Sequence, residues 1–216
     1  MQRRRNYPIA DDGWTFFIPV LVAAILLLIF LPFLGFILII LAGFIAYFFR
    51  NPIRIVPPEP DIYVAPADGK VLYITKGEDP EIGQTLTIGI FLSIFNVHIT
   101  KSPLNGTIKK VEYHPGKFLN ALNEKSSDEN EHNIVTIAEE NGMTVKVKQI
   151  AGIIARRIVN FTKEGEKVTK GQEIGLIRFG SRVELILPAE NVKVLVKPSD
   201  KIQGGQTPVI QIGSDA

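Results

Sequence analysis

Cysteine is absent from this chain of 216 residues, and histidine occurs only as His98, His114 and His132. The first absence excludes disulfide scaffolds, thiol nucleophiles and cysteine-ligated zinc, and it suits a reducing compartment. The three histidines show no ligand spacing, so no metal site is expected. Long basic runs are missing too. Three of the 24 Lys and Arg and two of the 22 Asp and Glu precede residue 14, which leaves the rest of the chain near balance. A near-neutral body without a basic stripe offers no electrostatic case for nucleic acid. For covalent chemistry only hydroxyl nucleophiles remain.

Charge is missing altogether from residues 14–49, "WTFFIPVLVAAILLLIFLPFLGFILIILAGFIAYFF". As one helix this run would measure about 54 Å, against a hydrocarbon core of roughly 30 Å. The breaker Pro32-Phe-Leu-Gly35 splits it into 14–31 and 36–49. The pattern therefore predicts a transmembrane or re-entrant helical hairpin within an anchoring segment, 1–50. A secretory signal fits less well, because the apolar core is too long and no small-residue cleavage site follows. Arg3, Arg4 and Arg5 precede the run, and Arg50 and Arg54 follow it. Positive flanks on both sides place both ends in the cytoplasm. The expected location is the cell membrane, with the body on its cytoplasmic side.

Residues 51–60, "NPIRIVPPEP", read as an extended linker. Beyond it short β-type runs alternate with glycine turns: "GKVLYI", "QTLTIGIFL", "NVHIT", "GTIKKVEY", "NIVTIAE", "MTVKVKQI", "VELILP" and "VKVLV". Two turns open alike, Pro66-Ala-Asp-Gly69 and Pro103-Leu-Asn-Gly106. A looser likeness joins Gly89…Val97-His98-Ile99 to Gly175…Val183-Glu184-Leu185. The body, 61–216, is expected to be mostly β, a sandwich or flattened barrel of two related β units. Its one helical stretch is "GKFLNALNEK", 116–125.

Taken singly, the polar groups invite plain readings. His98 sits on a strand, His114 at a strand end before Pro-Gly, and His132 in the polar stretch "SSDENEHN", where it reads as solvated. Asp68 in "PADG" is a turn aspartate, and Ser181 behind Gly180 starts as a turn residue. "EGEKVTKGQEIG", 164–175, has the glycine and valine spacing of lipoyl or biotin carriers. Lys167 and Lys170 lack the Met-Lys-Met setting of such a domain, so the likeness is one of architecture.

Together, and in order, the segments resemble the phosphatidylserine decarboxylases in their small membrane-tethered form. "RFGSRVELILP" resembles the glycine–serine cleavage motif of that family. The likeness takes in "PIADDGW", "YFFRNP", "PADGKV", "FNVHITKSP", "YHPGKF", "NEHN", "QIAGIIARRI" and "GEKVTKGQEIGLIRFGSR". It implies a chain that cuts itself between Gly180 and Ser181 by an acyl shift and elimination, leaving a covalent pyruvoyl cofactor derived from Ser181. The products, 1–180 and 181–216, would stay together as a heterodimer. It further implies that Asp68 orients His98, that His98 serves as base for Ser181 and later as proton donor, and that a membrane phospholipid is decarboxylated. His114, Arg156 and Arg157 are candidates to bind substrate, the arginines by gripping phosphodiester or carboxylate. Larger bacterial members carry a second histidine where Phe95 stands, so that residue's role does not carry over.

Two alternatives stay open at this level. The same headgroup chemistry suits an ether-linked archaetidylserine. A membrane-anchored sandwich acting as a non-enzymatic adaptor would explain the hairpin and linker, though not Gly180-Ser181 in company with Asp68 and His98.

Overall fold

A computed structural model describes residues 8–120, 126–140, 142–152, 157–178 and 181–213; Arg3, Arg4, Arg5, Arg156 and Gly180 lie outside these. The chain forms two compact units, Met1–Ile53 and Arg54–Ala216.

The first unit is a helical hairpin, α1 (Asp11–Phe30) and α2 (Pro32–Phe48). The break falls on Leu31 alone, at φ −137° and ψ 72°. Proline disfavours helical geometry in the residue before it, and Pro32 is itself well suited to the first turn of α2. Gly35 is therefore no part of the break. It lies inside α2, where a Cβ would come 2.5 Å from the Leu28 backbone nitrogen. Gly13 plays the same part at the other end, against Phe49. With Ala24 and Ala42 these small residues are buried between the helices, while Ile29, Phe30 and Phe33 face outward. Such small-residue contacts are how helices approach closely in lipid. The hairpin is closed at its base, where Ala10 N–H donates to Phe49 O (2.8 Å) and Asn51 N–H to Pro8 O (2.8 Å). Among the described residues, α1 is the one helix long and apolar enough to cross a membrane. At 17 residues α2 is shorter.

The second unit contains β1 (Ile62–Val64), β2 (Gly69–Asp79), β3 (Gly83–Leu92), β4 (Ile99–Lys101), β5 (Gly106–His114), α3 (Ser126–Glu129), β6 (His132–Ala138), β7 (Thr144–Ile150) and β8 (Ile158–Asn160). It continues with β9 (Lys167–Val168), β10 (Glu173–Ile177), β11 (Ser181–Pro188), β12 (Val192–Val194), β13 (Lys201–Ile202) and β14 (Pro208–Ile212). Eight of these form one curled sheet in the order β13-β2-β3-β11-β7-β6-β5-β9, with every neighbour antiparallel. Two three-stranded sheets, β1-β14-β12 and β4-β10-β8, complete the body. This is the mostly β, flattened-barrel architecture that the alternation predicts. Alternate residues of the long strands, such as Ile88, Ile90, Val147, Val183 and Leu185, share one buried core.

Both sequence likenesses have a structural counterpart. The two proline turns lie back to back, Val64 N–H donating to Pro103 O (3.0 Å) and Lys101 N–H to Pro66 O (2.8 Å). The looser pair crosses over: β3 leads to β4 and β10 leads to β11, and the strands then pair as β3 with β11 and β4 with β10. Leu92 is thereby set opposite Ser181, and Ile99 opposite Leu176.

The predicted helix at 116–125 is displaced. Lys117 pairs as an isolated bridge with Asn130, its N–H donating to Glu129 O (2.7 Å) and its carbonyl accepting from Glu131 N–H (3.0 Å). A backbone engaged across the chain in this way is not available for helical i to i−4 bonds. The helix that forms is the single turn α3; residues 121–125 lie outside the described ones.

Candidate functional site

Ser181 heads β11, opposite Leu92 at the end of β3. Successive side chains on a strand alternate in facing. Val183, Leu185 and Leu187 enter the core, so Ser181 faces that side and Arg182 and Glu184 face the other. Ser181 is fully buried, and its Oγ has no hydrogen-bond partner among the described residues. Phe179 and Gly180, immediately before it, are outside them.

His98 reaches the same end of the sheet on the crossing from β3 to β4. It is buried, and its carbonyl accepts from Ile177 N–H (3.1 Å), four residues before Ser181. A tight turn holds it: the Asn96 side-chain oxygen accepts from Ser93 N–H (2.9 Å) and Ser93 Oγ (2.7 Å). His98 Nδ1 lies 2.9 Å from the Asn96 carbonyl. A carbonyl can only accept, so the proton sits on Nδ1 and Nε2 keeps the lone pair of a base.

Asp68 lies just before β2, on the loop whose Pro66 carbonyl accepts from Lys101 N–H. Its Oδ2 accepts from Arg54 (2.6 Å), and its Oδ1 accepts from Gly204 N–H (2.8 Å). Both partners of the ion pair are largely buried. Sequence reasoning missed Arg54, which reads there as one of the positive flanks of the apolar run. Lys101, buried close by, has its ammonium pushed below the ordinary lysine range by desolvation, with Arg54 adding to the effect.

Behind Ser181 the reverse face of the sheet carries buried charge. One rung runs through six strands as Lys70, Phe91, Arg182, Ile150, His132 and His114. Arg182 is 1 % exposed, and its Nε lies 3.2 Å from Glu184 Oε1. Glu184 also accepts from the hydroxyls of Tyr73 (2.5 Å) and Ser127. Burial and the Glu184 carboxylate push the Tyr73 phenol well above its ordinary range. A Cβ at Gly89 would strike the Tyr73 ring, so the glycine makes room for this network.

The candidate residues divide accordingly. Asp68, His98 and Ser181 gather at one end of the sheet. His114 stands on the reverse face, its ring stacked 4.6 Å from that of His132. His132 is not the solvated loop residue its polar neighbours suggest. It is buried at the start of β6, with Nδ1 donating to Asn130 O (2.8 Å). Arg157 is exposed just before β8, and its carbonyl accepts from Arg178 N–H (3.3 Å). Lys170 is no carrier-type tip, since its Nζ donates to the carbonyls of Glu59 (2.5 Å) and Ile62 (3.0 Å). A cavity of about 600 Å³ beside Tyr63, Gly106, Glu139 and Lys167 lies at the opposite end of β5 from His114, away from Ser181. No group of three or more potential metal ligands occurs among the described residues.

A buried serine whose hydroxyl has no partner among the described residues and a buried histidine thus stand at one end of a β scaffold. Residues 41–210 match the family model described as phosphatidylserine decarboxylase. The chain is 42% identical over 210 residues to the phosphatidylserine decarboxylase proenzyme of Symbiobacterium thermophilum, covering 96% of this chain and 97% of that protein. It is 41% identical over 207 residues to the protein of that name from Paraburkholderia xenovorans, covering 94% and 97%. With the Burkholderia vietnamiensis proenzyme the figure is 41% over 210 residues, covering 94% and 96%. The chain belongs to the phosphatidylserine decarboxylase family, a family of enzymes.

Proposed function

We propose that this chain is a proenzyme that cuts itself between Gly180 and Ser181 and then converts phosphatidylserine to phosphatidylethanolamine and carbon dioxide at the membrane. The observation that carries the reading is the buried Ser181 Oγ, which has no partner among the described residues. An unsatisfied buried hydroxyl costs about 1–3 kcal/mol, and such groups in a well-packed body call for a purpose. Here the purpose is attack on the preceding carbonyl. His98 Nε2 takes the Ser181 proton, and the Gly180–Ser181 amide becomes an ester. Elimination then releases residues 1–180 as a carboxylate, and water releases ammonia from the new end of 181–216. Asp68, fixed by Arg54 and Gly204 beside the His98 segment, supplies negative charge for the imidazolium that forms.

The residues fit a pyruvoyl group built from Ser181, since the position is buried, adjoins the His98 crossing and needs no external ligand. When present, that group supplies an electron sink for the bond to the departing carboxylate. His98 returns a proton to the headgroup carbon that has lost carbon dioxide. Arg157, and Arg156 outside the described residues, attract the lipid phosphodiester. The two products remain one body, because 181–216 contributes β11 between β3 and β7, β13 on β2, and β14 on β1, with β12 alongside β14.

Intact mass of the purified protein tests this. Wild type is expected as two chains, 1–180 and 181–216, the smaller resistant to Edman degradation, and Ser181→Ala as one uncut, inactive chain. His98→Ala is expected to lower both cutting and turnover by about 10²- to 10⁴-fold. A wild type that decarboxylates phosphatidylserine as one intact chain would falsify the mechanism.

A further inference from the structure

Large apolar side chains are exposed at only a few described positions of the second unit: Ile55 (83%), Phe95 (61%), Tyr113 (57%), Phe118 (38%) and Leu195 (38%). Four of the five stand at the end of the sheet that holds Ser181. Phe95 lies in the turn between Leu92, the strand partner of Ser181, and His98. Tyr113 precedes His114 on the last rungs of β5. Phe118 sits between Lys117 and Leu119, both tied to the segment Glu129–Glu131; Asn130 in turn donates to Ala151 O, one residue past the Arg182 partner Ile150. Ile55 adjoins Arg54, whose guanidinium is fixed on Asp68. Leu195 follows β12 in another sheet.

We propose that this rim is a docking surface for a lipid bilayer, with Phe95 and Phe118 as its inserting side chains. The proposal rests on the reading of Ser181 as the centre of a lipid-modifying enzyme. A two-chain phospholipid gives up its whole acyl burial on leaving the bilayer, so the site must be brought to the surface where the headgroup lies. Phenylalanine and tyrosine suit that depth, with apolar bodies and, for tyrosine, a polar tip. Two lysines of the rim are paired, Lys117 with Glu129 (2.9 Å) and Lys148 with Asp128 (3.3 Å), so the rim carries no polybasic cluster among them. Insertion of apolar side chains tolerates salt where docking by a polybasic surface would not.

The test uses the full chain reconstituted in vesicles, with and without Phe95→Ser and Phe118→Ser together. Decarboxylation is measured on phosphatidylserine in the same bilayer, at several mole fractions, and on dissolved monomeric dihexanoyl phosphatidylserine. The double variant is expected to need at least about tenfold more bilayer substrate for half-maximal rate, a lower bound for the loss of two inserted aromatic side chains. Its rate on the dissolved lipid should stay within twofold of wild type. Equal loss on both substrates, or no loss on either, overturns docking. A wild type inactive on both substrates counts against the enzyme reading instead, and an optical arm then decides docking alone. The chain has one tryptophan, Trp14, so a Trp14→Phe, Phe95→Trp chain reports position 95. Quenching by shallow brominated lipids, unchanged in high salt, is expected; its absence refutes insertion.

Discussion

A neutral histidine held inside a β-sheet ties folding to pH, and His132 is so placed. Burial pushes its pKa below the ordinary 6.5, and Lys148 and the stacked His114 act in the same direction. A depressed folded pKa means that the unfolded chain takes up the proton first. The contribution of His132 to stability is then fully present above about pH 6.5 and is lost as pH falls through its lowered folded value. Urea unfolding of Ser181→Ala, which remains one chain, should show a lower midpoint at pH 5 than at pH 8, and His132→Gln should flatten that dependence. A slope unchanged by the substitution would assign it to other groups. Tertiary placement is what hid this residue, since its neighbours in "SSDENEHN" are those of a solvated loop. Ser181 stands out in the sequence for the opposite reason: the cleavage proposed for it needs a particular residue beside it in the chain, Gly180. Arg54 was not, because its partner Asp68 lies 14 residues on and proline-rich surroundings disguise it as linker. Nothing in "GSRVELI" announces that Arg182 is buried.

β11 carries Ser181 at its head and a buried ion pair on its reverse face, so the element couples site and scaffold. Removing one member of such a pair leaves the other charge uncompensated, at about 3–5 kcal/mol. Glu184→Ala is expected to destabilise the Ser181→Ala chain by that amount in urea unfolding. Tyr73→Phe, which deletes one hydrogen bond to a carboxylate, should cost about 1.5–3 kcal/mol. A loss under 1 kcal/mol for Glu184→Ala would mean that water reaches Arg182. The strand itself could be read from Val183, Leu185 and Leu187, and so could β2, β3, β5, β6 and β7, whose runs are long enough to show a period of two. β1, β8, β9 and β13, of two or three residues each, are too short to show any. Strand order was illegible throughout, because alternation says which residues face inward and nothing about which strand lies alongside. Over 116–120 the expected helix failed on the same ground: local pattern favoured it, and pairing of Lys117 with Asn130 across the chain prevailed.

At the scale of the whole molecule, the hairpin bears on which side of a membrane the two ends of the apolar run would lie. α1 measures about 30 Å at 1.5 Å per residue, enough for the hydrocarbon core, and α2 about 25 Å. The one-residue break at Leu31 returns the chain at once, and the bonds of Ala10 to Phe49 and of Asn51 to Pro8 close the two ends on each other. Whether α2 spans fully or the pair dips in and returns, entry and exit lie on one side. Arginines before and after the run, Arg3 to Arg5 and Arg50, make the cytoplasm the expected side. The native chain has no cysteine, so single substitutions Gln2→Cys and Glu190→Cys give a clean readout. Glu190 is exposed, and Gln2 precedes the described residues. Neither cysteine should react with a membrane-impermeant maleimide in intact cells, and both should react after lysis. Labelling of only one in intact cells would mean an odd number of crossings, and with it the loss of the hairpin. Labelling of both would keep the hairpin and turn the body outward, so that decarboxylation would have to draw its lipid from the other leaflet.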